Sequence, residues 1–137
     1  MNTGYSGTPL FKKIGIKPNM TVTLVDAPAH AVELLEPLPD DVTMKTGIRG
    51  KPDIALVFCK TEKALEKRVK QLWNMAFPDR VIWICWPKKS GALFVDLTET
   101  AIRKHVLAIG LVDVKVCAVD ADWSGLKFMV RKELRGD

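Results

Sequence analysis

The stretch Trp86-Pro87-Lys88-Lys89-Ser90-Gly91 holds the densest set of ligand-binding groups in this chain. Two ammonium groups, a hydroxyl and a conformationally adaptable glycine suit a phosphate or a carboxylate. A second set, Tyr5-Ser6-Gly7-Thr8, is followed by Lys12 and Lys13. A helix starting there would add orphan N–H groups and the positive end of its dipole. Asp26 follows an apolar run, where a carboxylate can meet a ribose hydroxyl or an amino group, or simply cap a helix. The expected anion site is therefore Lys88, Lys89, Ser90, Gly91 and Trp86, joined by Tyr5, Ser6, Thr8 and Asp26 where the N-terminal segment folds over the same edge. The plainer alternatives are a solvated lysine turn and a capped helix lying on a sheet.

Other reactive residue types point to less. His30 has no histidine or cysteine at metal-ligand spacing, so no metal is expected. His105 follows Ala101 by four residues and Ile102 by three, as a partly buried helix position does. Cys59, Cys85 and Cys117 lie in strand-like runs, and their odd number and spacing fit neither a disulfide framework nor a zinc site. They read as reduced thiols of a cytoplasmic protein. No nucleophile–base–orienter set is visible, and Ser90 has no identifiable activating base. The sequence does not decide whether the chain is an enzyme.

The elements that would position these groups are clearer. Ile54-Ala55-Leu56-Val57-Phe58-Cys59 and Val81-Ile82-Trp83-Ile84-Cys85-Trp86 carry no polar side chain on either face. Such runs are strands covered on both sides, the hallmark of a central parallel sheet. Between them Thr61 caps a helix with Leu65, Val69, Leu72, Trp73 and Ala76 on its inner stripe. A first strand over 21–25, a weak one over 42–45, an alternating one over 112–119 and a returning one over 126–132 complete the set. Another helix starts near Pro28, with Ala31, Val32, Leu34 and Leu35 as its apolar side, and a further one follows Asp96 and Glu99, which have capping-box spacing. A short helix within residues 1–18, with Thr8 as N-cap and Gly15 as stop, precedes the sheet, and 133–137 reads as a frayed tail. The fold class expected is a single α/β domain of three layers, α/β/α and Rossmann-like. Its mixed sheet has the order 2-1-3-4-6-5, with the last strand antiparallel.

At 137 residues, with 27% charged and 47% hydrophobic residues, the chain suits one soluble domain. No apolar run reaches the roughly 20 residues a membrane span needs, so no membrane partner is expected. The net charge of +5 lacks a long basic tract or interleaved aromatics. Binding to nucleic acid through charge alone is accordingly the weaker alternative.

In an open parallel sheet, ligands bind beyond the carboxyl ends of the strands. There the first strand leads into Val25-Asp26-Ala27-Pro28-Ala29-His30, with no glycine and with Pro28 removing an N–H donor. The order of elements and the entry Ile14-Gly15-Ile16-Lys17-Pro18-Asn19-Met20-Thr21-Val22 resemble a class I methyltransferase domain, and the pair 111–132 is similar to that fold's terminal hairpin. That family's glycine signature is missing, so the resemblance implies the scaffold without its cofactor or activity. No cofactor is expected, and S-adenosylmethionine is disfavoured. Gly4–Leu10, Trp86–Lys89, Val114–Asp120 and Trp123–Phe128 also resemble a small uncharacterised bacterial family classed as a domain of unknown function. That likeness implies no activity and no catalytic residues. The expected function is a non-catalytic or regulatory module for a small anionic molecule or a protein partner. An enzyme acting on a nucleotide-like or phosphorylated substrate is the alternative.

Overall fold

The computed structural model of the protein describes residues 7–136. Its framework is a six-stranded sheet in the order β2-β1-β3-β4-β6-β5. The strands are β1 (Thr21–Val25), β2 (Thr43–Thr46), β3 (Ile54–Phe58), β4 (Val81–Pro87), β5 (Leu111–Ala118) and β6 (Trp123–Val130). The first four run parallel, and β6 is antiparallel to both β4 and β5. Order and directions match those expected from the sequence.

The two dry runs take the centre because each feeds two cores. Ala55, Val57, Ile82, Ile84 and Trp86 enter one layer, while Ile54, Leu56, Phe58, Trp83 and Cys85 enter the other. Side chains alternate across a strand, so a strand covered on both faces has no place for a polar residue. The first layer is closed by α3 (Glu62–Ala76) and α4 (Glu99–Leu107), through Leu65, Leu72, Met75, Ile102 and Val106. The second is closed by α1 (Leu10–Ile14) and α2 (Ala31–Leu35), through Ile14, Ala31 and Leu35. The result is a three-layer α/β/α sandwich. Each of the larger of these buried side chains, Leu, Ile, Val and Met, stabilises by about 1.5–3 kcal/mol relative to exposure.

The link from β2 to β3 contains no helix, although a parallel crossover normally spans a dozen residues or more. Register explains how so few suffice. Thr46 pairs with Leu24 and Ile54 pairs with Val22, so the chain returns by two residues, about 7 Å along the strand axis. It also steps sideways past β1, about 9.6 Å across two strand spacings. Residues 47–53 cover that distance as loop.

Caps differ from expectation in several places. Thr61 does cap α3, accepting from the Ala64 N–H at 3.0 Å. For α4 the cap is Thr98, which accepts from Ala101 N–H at 3.2 Å. Asp96 instead reaches across to accept from the Glu62 N–H at 2.9 Å, so it serves the start of α3. Thr8 is not a cap: Pro9 occupies that position, and no side chain bonds there. Gly15 ends α1 in the left-handed region, at φ 95°, as expected. Past β6, where fraying was expected, Lys132–Leu134 form a 3-10 turn and Arg135 Nε donates to the Val130 carbonyl at 2.9 Å. Among the described residues no helix is long and apolar enough to cross a membrane.

The free edge strand β5 is irregular. Asp113 pairs with Phe128 and Lys115 with Lys127, so Val114 is an extra residue with no partner in register. Val112, Val114 and Val116 are exposed there.

Candidate functional site

The carboxyl ends of β1, β3 and β4 open on one rim, where two cavities lie. The first, of about 400 Å³, is lined by Asp26, Ala27, Pro28, His30, Phe58, Lys60, Ala64, Leu93 and Trp123. It sits where β1 and β3 diverge to opposite neighbours, the switch point at which open α/β sheets take ligands. The second, of about 490 Å³, is lined by Trp86, Lys88, Lys89, Ser90, Phe94, Leu97, Thr98, Glu99 and Ser124. Trp123 and Ser124, adjacent at the start of β6, line one cavity each.

The wall of the first cavity is held rigidly. Trp123 is 3% exposed and meets Phe58 edge-to-face, with ring centroids 5.1 Å apart. Its backbone N–H and that of Asp122 both donate to Asp120 Oδ1 at 2.8 Å. The other Asp120 oxygen lies 3.1 Å from His30 Nε2, so the carboxylate fixes both the tryptophan and the imidazole. The Trp123 indole N–H is buried and has no hydrogen-bond partner among the described residues. A buried donor left unpaired costs about 1–3 kcal/mol.

Asp26 stands on the opposite wall at φ 55°. It does not cap α2, whose N-cap is His30 with no side-chain bond. Its carboxylate instead takes a forked pair from Arg68, Nε to Oδ2 and Nη2 to Oδ1, each at 3.0 Å. Both partners are partly exposed, so the pair contributes at most about 1 kcal/mol, and its consequence is geometric. It fastens the β1–α2 turn to α3.

The predicted anion residues are thus divided. Lys88, Lys89, Ser90 and Trp86 converge on the second cavity. Gly91 does not line it; its N–H closes the lysine turn by donating to the Lys88 carbonyl at 3.0 Å. The Lys88 N–H donates to Asp122 O at 2.8 Å and so anchors the lysine turn to the β5–β6 turn. Asp26 belongs to the first cavity, not to the lysine cluster. Thr8 is exposed and lines neither cavity. Tyr5 and Ser6 lie outside the described residues. The sequence suggests a turn at Trp123, with its ring covering the hairpin or lining a pocket rim; the residue opens β6 and does line the first cavity. The signal present in the sequence is a large aromatic two residues before a glycine, but burial of its N–H depends on Phe58 and Asp120.

Cys59 follows β3 and packs into the core layer under α3 and α4. Burial first, and the Asp26 carboxylate second, push its thiol up to about 12, with Arg68 opposing. Burial likewise drives the Cys85 thiol upward. A thiol with a raised folded-state pKa keeps its proton while the unfolded chain gives its own up near pH 9.0. The associated stability is complete below pH 9.0 and is lost as pH climbs toward 12. The urea midpoint should therefore fall above pH 9.0, and less steeply in Cys59→Ala. Identical slopes for the two proteins would remove this account.

No family model and no curated protein matches the chain. Solved structures do. An S-adenosylmethionine-dependent methyltransferase from Aquifex aeolicus is similar at a TM-score of 0.60 and 16% identity, over 88% of this chain and 87% of that one. The magnesium protoporphyrin IX methyltransferase ChlM from Synechocystis PCC 6803, with bound S-adenosylmethionine, is similar at 0.56 and 14% identity, over 90% and 74%. The N-methyltransferase NodS from Bradyrhizobium japonicum WM9, in complex with S-adenosyl-L-homocysteine, is similar at 0.55 and 13% identity, over 84% and 80%. The scaffold is therefore methyltransferase-like. This corrects the expectation of no cofactor with S-adenosylmethionine disfavoured: similar chains carry that molecule or its demethylated product. Missing glycines after β1 are weak grounds against such a ligand, because side chains on the neighbouring strands can also hold it.

Proposed function

We propose that this chain is a small-molecule-binding module, regulatory rather than catalytic, that takes an S-adenosyl ligand in the Asp26–Trp123 cavity and a small anion in the lysine cleft. The observation that carries the proposal is the cavity at the strand switch point, which brings Asp26, Lys60, Phe58 and Trp123 together; the buried Trp123 indole N–H beside it has no partner among the described residues. The lining suits such a ligand. Phe58 and Trp123 offer aromatic surface, Trp123 a donor, Lys60 a cation for the amino-acid carboxylate, and Asp26 an acceptor for hydroxyl or ammonium groups. Bound S-adenosylmethionine supplies an electrophilic methyl group. The regulatory reading is supported by commitments within the rim: Asp26 is engaged by Arg68, and His30 by Asp120. In the second cleft, Lys88 and Lys89 supply charge and Ser90 a hydroxyl. The cytoplasm, where such metabolites are abundant, is the compartment proposed.

Thermal-shift titration tests both halves. A ligand at a hundred times its dissociation constant stabilises by about 2.7 kcal/mol, a readily measured rise in Tm. S-adenosylhomocysteine should give such a rise, and Trp123→Phe, which keeps a ring and removes the N–H, should weaken binding about tenfold. Absence of any shift with either S-adenosyl compound rejects the first half. Phosphate should stabilise the wild type and not Lys88→Ala/Lys89→Ala; an unchanged phosphate response rejects the second half.

A further inference from the structure

Away from the rim, α3 and α4 bring together three groups that spacing along the chain did not suggest. Glu62 and Glu66 stand one turn apart on α3, and His105 approaches them from α4. His105 Nε2 lies 2.7 Å from a Glu62 carboxylate oxygen and 3.7 Å from a Glu66 oxygen. One donor atom from each residue lies within 4.8 Å of the others. We infer that Glu62, Glu66 and His105 form a binding site for a zinc-class divalent cation that ties α3 to α4.

The imidazole separates this cluster from an ordinary acidic surface. A borderline divalent ion takes one imidazole nitrogen and carboxylate oxygens readily, and tetrahedral donors at about 2.1 Å from the metal stand about 3.4 Å apart. The His105–Glu66 separation is already close to that figure. The Glu62 oxygen lies closer to His105 than two ligands of one metal would, because the two side chains are at hydrogen-bond distance. Seating a metal between them needs the Glu62 oxygen to retreat by about 0.7 Å to reach that spacing, which a partly exposed glutamate achieves by side-chain rotation. His105 is the more restrained partner, with its side chain 21% exposed. Three protein ligands leave further positions to water, the open type of coordination rather than the closed structural type. The consequence is mechanical: the cation would clamp together the two helices that cover one core layer.

The experiment uses the full chain, stripped with EDTA, and zinc ion alone as probe. Zinc should raise Tm by several degrees, reversed by EDTA, and cobalt(II) should acquire visible absorption characteristic of a nitrogen–oxygen site. His105→Ala should weaken zinc at least tenfold, and so should Glu66→Gln, an exposed and conservative change that keeps the fold. Glu133→Gln, an exposed carboxylate away from the cluster, should leave the response unchanged. No zinc response in the wild type overturns the inference and leaves a plain ion-pair cluster. So does a response that persists in His105→Ala or Glu66→Gln, since the metal would then be bound elsewhere.

Discussion

Trp83→Ala is expected to lower the stability of this protein by about 3–5 kcal/mol, the range for removing a large buried aromatic. Trp83 is fully buried at the middle of β4, in the layer facing α1 and α2. Its indole N–H donates to the Ile14 carbonyl at 3.1 Å. That bond joins the end of α1 to the sheet across 69 residues of sequence, and it satisfies a helix-end carbonyl that no α1 amide reaches. Alanine would leave a large void and an unpaired carbonyl together. Domains of this size hold about 5–15 kcal/mol in all, so much of the margin would go. Urea unfolding monitored by far-UV circular dichroism measures the loss, and a value under about 1 kcal/mol, below the cost of any large cavity, would mean the layer closes without this residue. Trp83→Phe should fall between, since it restores most of the volume and not the donor.

Gly110→Ala is the second large effect, expected to cost about 2–5 kcal/mol from two sources. Gly110 follows α4 at φ 100°, where an L-residue is destabilised by about 1–2 kcal/mol. A Cβ there would stand 2.8 Å from the Trp73 ring and 3.0 Å from Leu134 Cδ1. Trp73 cannot easily yield, because it stacks on Phe77 at 5.4 Å. Overpacking of this kind adds about 1–3 kcal/mol. Gly47 provides the control: its φ is also 100°, but nothing lies within 4 Å of the place its Cβ would take. Gly47→Ala should cost the backbone part alone. Equal losses in Tm for the two variants would show that the ring contact contributes nothing.

The sheet is legible in the sequence because the signals for it are local. A run such as Val81–Trp86 can be dry on both faces in few other settings, and alternation over 112–119 marks a strand wetter on one side. Strand order follows from the same contrast between dry and wet strands. What escapes a reading of the sequence is pairing between side chains distant along it. Asp96 has the spacing to cap its own helix, yet it accepts from the Glu62 amide at the start of α3, 34 residues earlier. Asp26 meets Arg68 across 42 residues, and His105 meets Glu62 across 43. Such contacts depend on how helices rest on the sheet, which no periodicity encodes. The lysine turn of the candidate site is legible because charge, hydroxyl and glycine are consecutive there. The aromatic cavity is not, because its walls come from residues far apart along the chain, Asp26 to Trp123.

The irregularity in β5 bears on how the molecule behaves in a crowded solution. Three valines on a bare border would ordinarily invite another polypeptide to dock and prolong the pleated array. The extra residue at Val114 throws the donors and acceptors out of step midway along that border. Arg103 grips Asp113 on one side of the misfit, and Lys115, an exposed cation, stands on the other. A visiting strand would match for two or three residues and then lose its hydrogen bonds. The fault line thus works as a guard against runaway stacking into filaments.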